Sequence, residues 1–358
     1  MAGAPAPGTI PAAMSTFFEA ELREQPEVLA RLLQVGRPRA QDVAARIRER
    51  SPRFAVLAAR GSSDNAARYG QYLFGIRNGL VAALATPSLF THYGARPALG
   101  DALVIGISQS GQSPDIVEVV REGRRQGALT LAVTNEAASP LAEAAELVMP
   151  LEAGTERAVA ATKTYTAQLM VLSMLSAAWT DDAQAWTELE ALPGQVTATL
   201  EANHGTARIA ESLREHSRLV VLGRGYNLST AFEITLKVKE TSGVMAHGYS
   251  SADFLHGPKA ILDRTLPVMV VSPGRAFGDL DGVLALAREQ GAPFIAISDR
   301  PEILSSADIA LPLAAGVPEW LSPLVAVVPG QMWALGFSLA RGLQPDAPRG
   351  LTKVTHTR

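Results

Sequence analysis

Cysteine is missing from all 358 residues. That excludes disulfides, thiolate metal sites and a thiol nucleophile, and it fits a reducing cytoplasm. Lysine is scarce. Of 32 basic residues five are Lys (Lys163, Lys237, Lys239, Lys259 and Lys353) and the rest are Arg. No uninterrupted apolar run reaches the roughly 18 residues of a membrane span. The six histidines include no pair at metal-ligating spacing beside acids, so no metal is expected. An excess of positive charge is also absent: the net charge is -3, which argues against a nucleic-acid partner. The opening MAGAPAPGTIPAA lacks a basic start followed by an apolar core, so it does not read as a secretory signal. Ala, Pro and Gly dominate it, and residues 1–13 are expected to form a disordered leader.

What is present is a chain that is 47% hydrophobic and long enough for about two domains. It repeats itself at one offset. Gly61 ends FAVLAARG and Gly225 ends LVVLGRG; Ser108 ends ALVIGIS and Ser272 ends PVMVVS. Gly127 answers Gly291, and Thr134 answers Ser298, each pair lying 164 apart. VMPL at 148–151 answers ALPL at 310–313 with a slip of two. Each half reads as apolar strand, Gly/Ser turn, amphipathic helix, apolar strand. Buried strands alternating with helices make a parallel sheet covered on both faces. The expected fold is therefore α/β: two tandem doubly wound three-layer αβα domains, flavodoxin-like or Rossmann-like. Their expected limits are 46–186 and 207–346. A helical segment over 14–45 precedes them, 187–206 links them, and a tail over 347–358 closes over the site.

In such folds ligands sit at the carboxyl ends of the strands. The loop SQSGQSPD, Ser108 to Asp115, follows the strand ALVIGI. Ser113 reads as an N-cap, Pro114 as the first helical residue and Asp115 as a first-turn acid. Hydroxyls and backbone N–H groups at a helix start can hold a phosphate without a metal, although an ordinary capped turn would carry the same residues. RGSSDN, Arg60 to Asn65, is a second Gly-Ser loop at a strand end. The matching loops of the second half have lost the paired serines, so one anion site per chain is expected.

Where Arg serves as the ordinary cation, a retained Lys is a candidate for amine chemistry. In TAFEITLKVKETSG, Glu233, Lys237 and Glu240 share one helix face, and Ile234 and Val238 form the apolar side. The arrangement is either a surface ion-pair ladder or a carboxylate poised beside an amine to move a proton. His256 in DFLHGPKA precedes Gly-Pro and is the best acid-base candidate among the histidines. Lys353 lies near the chain end and needs the tail to fold over a pocket before its amine is desolvated.

The order GSS, SQSGQS, TERAVAATKTYT, LKVKE, FLHGPKA and GLTKVT resembles the double sugar-isomerase (SIS) module of the glucosamine-6-phosphate synthases and the synthase-like deaminases. The resemblance covers residues 14–358. It implies that Ser108, Gln109, Ser110, Gly111 and Ser113 bind a sugar 6-phosphate, with Gly61, Ser62, Ser63, Val159 and Ala161 lining the site. It implies that Glu240 shuttles a proton between C1 and C2. His256 would assist ring opening from the partner subunit of a homodimer, and Lys353 would touch the substrate carbonyl or form a Schiff base with it. Glu233 and Lys237 would support the site. No cofactor is implied. The chain departs from the synthase pattern at Ala161, where a serine is usual, and at Gln112-Ser113, where Glu-Thr is usual. His247 and Asp253 each stand in place of Glu.

The synthase draws ammonia from a glutaminase domain with a cysteine nucleophile, and this sequence shows neither. The expected reaction is therefore glucosamine 6-phosphate plus water to fructose 6-phosphate plus ammonia. Other readings are a deglycase or isomerase for another phosphorylated amino sugar, and a non-catalytic sugar-phosphate-binding protein.

Overall fold

A computed structural model describes residues 16–274 and 278–353. The leader expected over 1–13 lies outside the described residues. Two five-stranded parallel sheets are present. The first contains β1 (Phe54–Ala58), β2 (Ala82–Leu84), β3 (Ala102–Ile107), β4 (Leu129–Thr134) and β5 (Leu147–Pro150), in the order β2-β1-β3-β4-β5. The second contains β6 (Arg218–Gly223), β7 (Met245–Ser250), β8 (Val268–Val271), β9 (Phe294–Ser298) and β10 (Ile309–Pro312), in the order β10-β9-β8-β6-β7. Read from the opposite edge, the second order repeats the first. The sequence repeat is thus a repeat of topology. β3 and β4 are buried along their whole length, as expected for strands covered on both faces.

Helices fill both faces. The N-terminal segment forms Phe17–Arg23 and then Gln25–Arg50, longer than the expected helical stretch. Val28, Leu29, Leu32, Val43 and Ile47 recur at helical spacing and enter the first core. The stretch expected to link the halves is itself a helix, Ala183–Ala202. Its Trp186, Leu189, Leu192 and Val196 belong to the same core.

The helix Ser322–Ala340 seats the two halves on each other. Leu324, Val325, Val328 and Met332 pack into the first core, while Ala326, Trp333 and Phe337 pack into the second. It is apolar on every side because both sides are buried. By length and composition it could cross a bilayer, but 89% of the relevant window is buried inside the protein.

Two glycines let this helix approach its neighbours. A Cβ on Gly330 would lie 2.3 Å from Ile234 Cγ1, and one on Gly336 would lie 2.3 Å from Ala207 Cα. The second collision is with backbone, which cannot rotate away. Gly336→Ala is therefore expected to lower the unfolding free energy by about 1–3 kcal/mol, read from a denaturant midpoint. An unchanged midpoint would contradict this packing.

Candidate functional site

In a sheet of order 2-1-3-4-5 the chain leaves β1 and β3 in opposite directions, which opens a crevice at their carboxyl ends. The Gly61–Ser63 turn follows β1 and the Ser108–Ser113 loop follows β3, so both border this crevice. A cavity of about 340 Å³ lies there. Gly61, Ser62, Ser63, Ser108, Gln109, Ser110 and Ser113 line it on this side.

The serine loop is held by its own bonds. Gly111 N donates to Ser108 Oγ at 3.1 Å, and Gln112 N donates to Ser110 Oγ at 3.3 Å. Gly111 does not line the cavity. It has φ +62°, and a Cβ there would lie 2.1 Å from Ser139 Oγ. It therefore shapes the loop from beneath. Ser113 caps the helix Pro114–Arg125 by position, but its hydroxyl makes no capping bond. The helix start and that hydroxyl remain able to meet an anion. Arg60 also lines the cavity. Its guanidinium forks onto the buried Asp115, with Nε and Nη2 each 2.8 Å from Oδ2.

The opposite wall comes from the second half and the tail. Lys237 and Glu240 reach the cavity from the helix Leu228–Ser242. The spacing predicted one face, and the surface-ladder reading fails on burial. Lys237 and Glu233 are 1% and 0% exposed, while Glu240 retains 24%. Lys237 Nζ donates to Glu240 Oε2 at 2.5 Å and lies 3.6 Å from Glu233 Oε1. Glu233 lies behind the cavity wall. It accepts from Ser62 Oγ at 2.9 Å and Asn65 Nδ2 at 2.8 Å, so it ties the two halves together. Burial pushes its carboxyl above the usual glutamate value, further than the Lys237 charge and the Asn65 and Ser62 bonds pull it back. Burial alone would lower the Lys237 amine, but the carboxylates of Glu233 and Glu240 hold it above the usual lysine value.

Lys353 is brought over the cavity. Its Nζ donates to Glu156 Oε2 and to Ala158 O, both at 2.7 Å. Leu351 and Thr352 line the cavity beside it. Val159 and Ala161 line it too, and Ala161 presents a methyl where a hydroxyl was the usual residue. The loop carrying them is clamped from several sides. Glu21 accepts from the backbone N–H groups of Arg157 and Ala158, and Val159 N donates to Asp346 O at 3.2 Å.

His256 is not brought to this cavity. It caps the helix Ser251–Leu255 and is exposed. Of the other lysines, Lys163 is buried against Glu24 at 2.5 Å, and Lys239 and Lys259 are exposed.

Five lining residues were not singled out in the sequence: Glu156, Thr164, Gln168, Leu351 and Thr352. Glu156 is fully buried and accepts from Thr162 N at 2.9 Å, Thr164 N at 3.1 Å and Thr164 Oγ1 at 2.7 Å. Burial pushes its carboxyl up, but the Lys353 charge and these donors outweigh it and hold the group below the usual value. Gln168 Nε2 donates to Ser63 Oγ at 3.0 Å. Among the described residues no group of three or more acidic or histidine side chains could hold a metal.

The SIS domain model matches residues 50–178 and again 212–341. The chain belongs to the SIS domain family. Its two SIS domains are homologous to part of the glutamine–fructose-6-phosphate aminotransferase (isomerizing) of Thermococcus kodakarensis. Identity is 34% over 348 residues, covering 94% of this chain and 57% of that protein. The chain thus spans little more than half the length of the relative it matches. A solved structure from Silicibacter pomeroyi DSS-3, described as a candidate phosphosugar isomerase, is 35% identical with a TM-score of 0.81. It covers 92% of this chain and 100% of its own. The C-terminal domain of glucosamine-fructose-6-phosphate aminotransferase from Francisella tularensis shares the fold, with a TM-score of 0.83 at 24% identity over 95% of this chain and 100% of its own.

The SIS interface makes its own energetic demand. Removing Lys237 leaves Glu233 buried without its counter-charge. Lys237→Met is expected to lower stability by about 3–5 kcal/mol, and Glu233→Gln combined with Lys237→Met by less than the single change. Denaturant titration checks this. A double variant weaker than Lys237→Met would contradict it.

Proposed function

We propose that the protein is a phosphosugar aldose–ketose isomerase and deaminase that converts glucosamine 6-phosphate and water to fructose 6-phosphate and ammonia. One observation carries this reading. The serine loop, Glu240, Lys237 and Lys353 all line one cavity. The loop 108–113 and the helix start at Pro114 take the phosphate. That end lies apart from the chemistry and supplies binding energy that holds the open chain in place.

Glu240 removes the proton from C2 of the open aldehyde and returns it to C1. A second proton passes from the C2 nitrogen to O1, so that C1 becomes the hydroxymethyl carbon and C2 becomes an imine. Water adds to that carbon and ammonia leaves. Lys237 stabilises the charged form of Glu240, and Lys353 meets the carbonyl oxygen as charge develops on it. Glu233 holds Lys237 in place. Every step is proton transfer or water addition, within reach of side chains already in the cavity. The relatives named for work on fructose 6-phosphate support the substrate class. In this reading His256 serves ring opening in the site of a second copy of the chain, because its own cavity lies out of its reach.

The test is to supply glucosamine 6-phosphate without glutamine and to measure both products. Ammonia and fructose 6-phosphate are expected in equal amounts. Glu240→Gln is expected to lower kcat by about 10²–10⁴-fold with a much smaller change in KM. Release of neither product, or undiminished turnover by Glu240→Gln, would contradict the proposal.

A further inference from the structure

Charges at the reacting end of the cavity do not balance. Among the described residues the ammonium groups there are Lys237 and Lys353, and the carboxylates are Glu156 and Glu240 on the lining and Glu233 directly behind it. Glu233 at 3.6 Å and Glu240 at 2.5 Å share Lys237. Glu156 takes Lys353 for itself at 2.7 Å. The remaining cation on the lining, Arg60, belongs to the serine end and is already paired with Asp115. Charges just outside do not redress the count. Lys239, Arg341 and Arg349 line the neighbouring cavity beyond Glu240, but all three are exposed to solvent, which screens them. Lys163 is paired with Glu24, Glu21 adds a further carboxylate beneath Arg157 and Ala158, and the exposed Arg157 lies over the Phe17 ring.

Glu156 decides the sign. Without its charge, two ammonium groups would face two carboxylates. Its three other donors come from Thr162 and from Thr164 in the first turn of the following helix, Lys163–Thr180, so they fix and stabilise the carboxylate alongside Lys353.

We propose that Glu156 is a specificity-determining residue. By taking up the charge of Lys353 it leaves the reacting end one negative charge in excess, and this excess selects phosphosugars whose carbon chain bears an ammonium group over those bearing a hydroxyl there. The proposal rests on the phosphosugar reading above. A buried excess charge is costly until a counter-charge arrives, and an ammonium brought into a cavity of low dielectric supplies one. An amino-sugar phosphate is polarised in the same sense as the cavity. Its anion meets the serine loop and its cation meets the carboxylates.

Two unreactive ligands test this, because neither has a carbonyl: 2-amino-2-deoxyglucitol 6-phosphate and glucitol 6-phosphate. Titration calorimetry at neutral pH is expected to show the amino alditol binding about tenfold tighter or more, equivalent to ~1.4 kcal/mol. Glu156→Gln is expected to bring the two affinities together, mainly by weakening the amino alditol. Lys353→Met, which removes a cation instead, is expected to widen the ratio, and it decides the matter if Glu156→Gln fails to fold. A purely structural role would weaken both ligands alike and would not move the ratio in opposite directions. Equal affinities in the unaltered protein, or a ratio unmoved by either substitution, would overturn the proposal and leave the phosphosugar reading standing. Binding of neither alditol would overturn both.

Discussion

Lys237 is 1% exposed and lies between two carboxylates, one wholly buried and one facing the cavity. Such an arrangement survives only where every member is satisfied, because a single unpaired charge would cost more than the pair contributes. The satisfaction crosses the middle of the molecule. Glu233 rises from the second half, and its remaining acceptors are met by Ser62 and Asn65 of the first. The same serine lines the cavity. The geometry of Glu240 therefore depends on how the two halves sit. The helix shared by both cores fixes that: Gly330 and Gly336 bring it close to the second half, and Leu324, Val325, Val328 and Met332 enter the core of the first.

The two halves share a strand order but divide the work. The first offers turns rich in serine at the ends of β1 and β3. The second offers the face of one helix, and the tail adds Lys353 from above. An anion-accepting end and a proton-handling end thus arise from different copies of one topology. The tail is held where its lysine meets Glu156 and Ala158, and where Asp346 meets Val159. A loop with no helix or strand of its own is thus bonded to the first helix, to the tail and within itself.

Much of this was legible in the residues. Strands buried on both faces read as unbroken apolar runs, so β3 and β4 and their counterparts β8 and β9 revealed the repeat. Spacing of four and three placed Glu233, Lys237 and Glu240 on one face, but only packing could show that the face is interior. Glu156 was not legible. It lies outside helix and strand, and its meaning comes from Lys353, 197 residues away. Gln168 sits within an apolar helix and reads there as one polar interruption. The expected linker, 187–206, falls mostly on the helix Ala183–Ala202, whose Trp186, Leu189 and Val196 bury it against the first core. Scarcity singled out all five lysines. Burial separates them, since Lys163 answers a structural carboxylate and two others face solvent.

The account stands on the direction in which a ligand lies across the cavity. A crystal structure of the protein with glucitol 6-phosphate would show that directly. The phosphate is expected within hydrogen-bond reach of Ser108, Ser110 and Ser113 at the start of the helix Pro114–Arg125, with C1 and C2 of the chain beside Glu240 and Lys353. A phosphate held by Lys237 and Lys353, with the carbon chain pointing toward the serine loop, would contradict it.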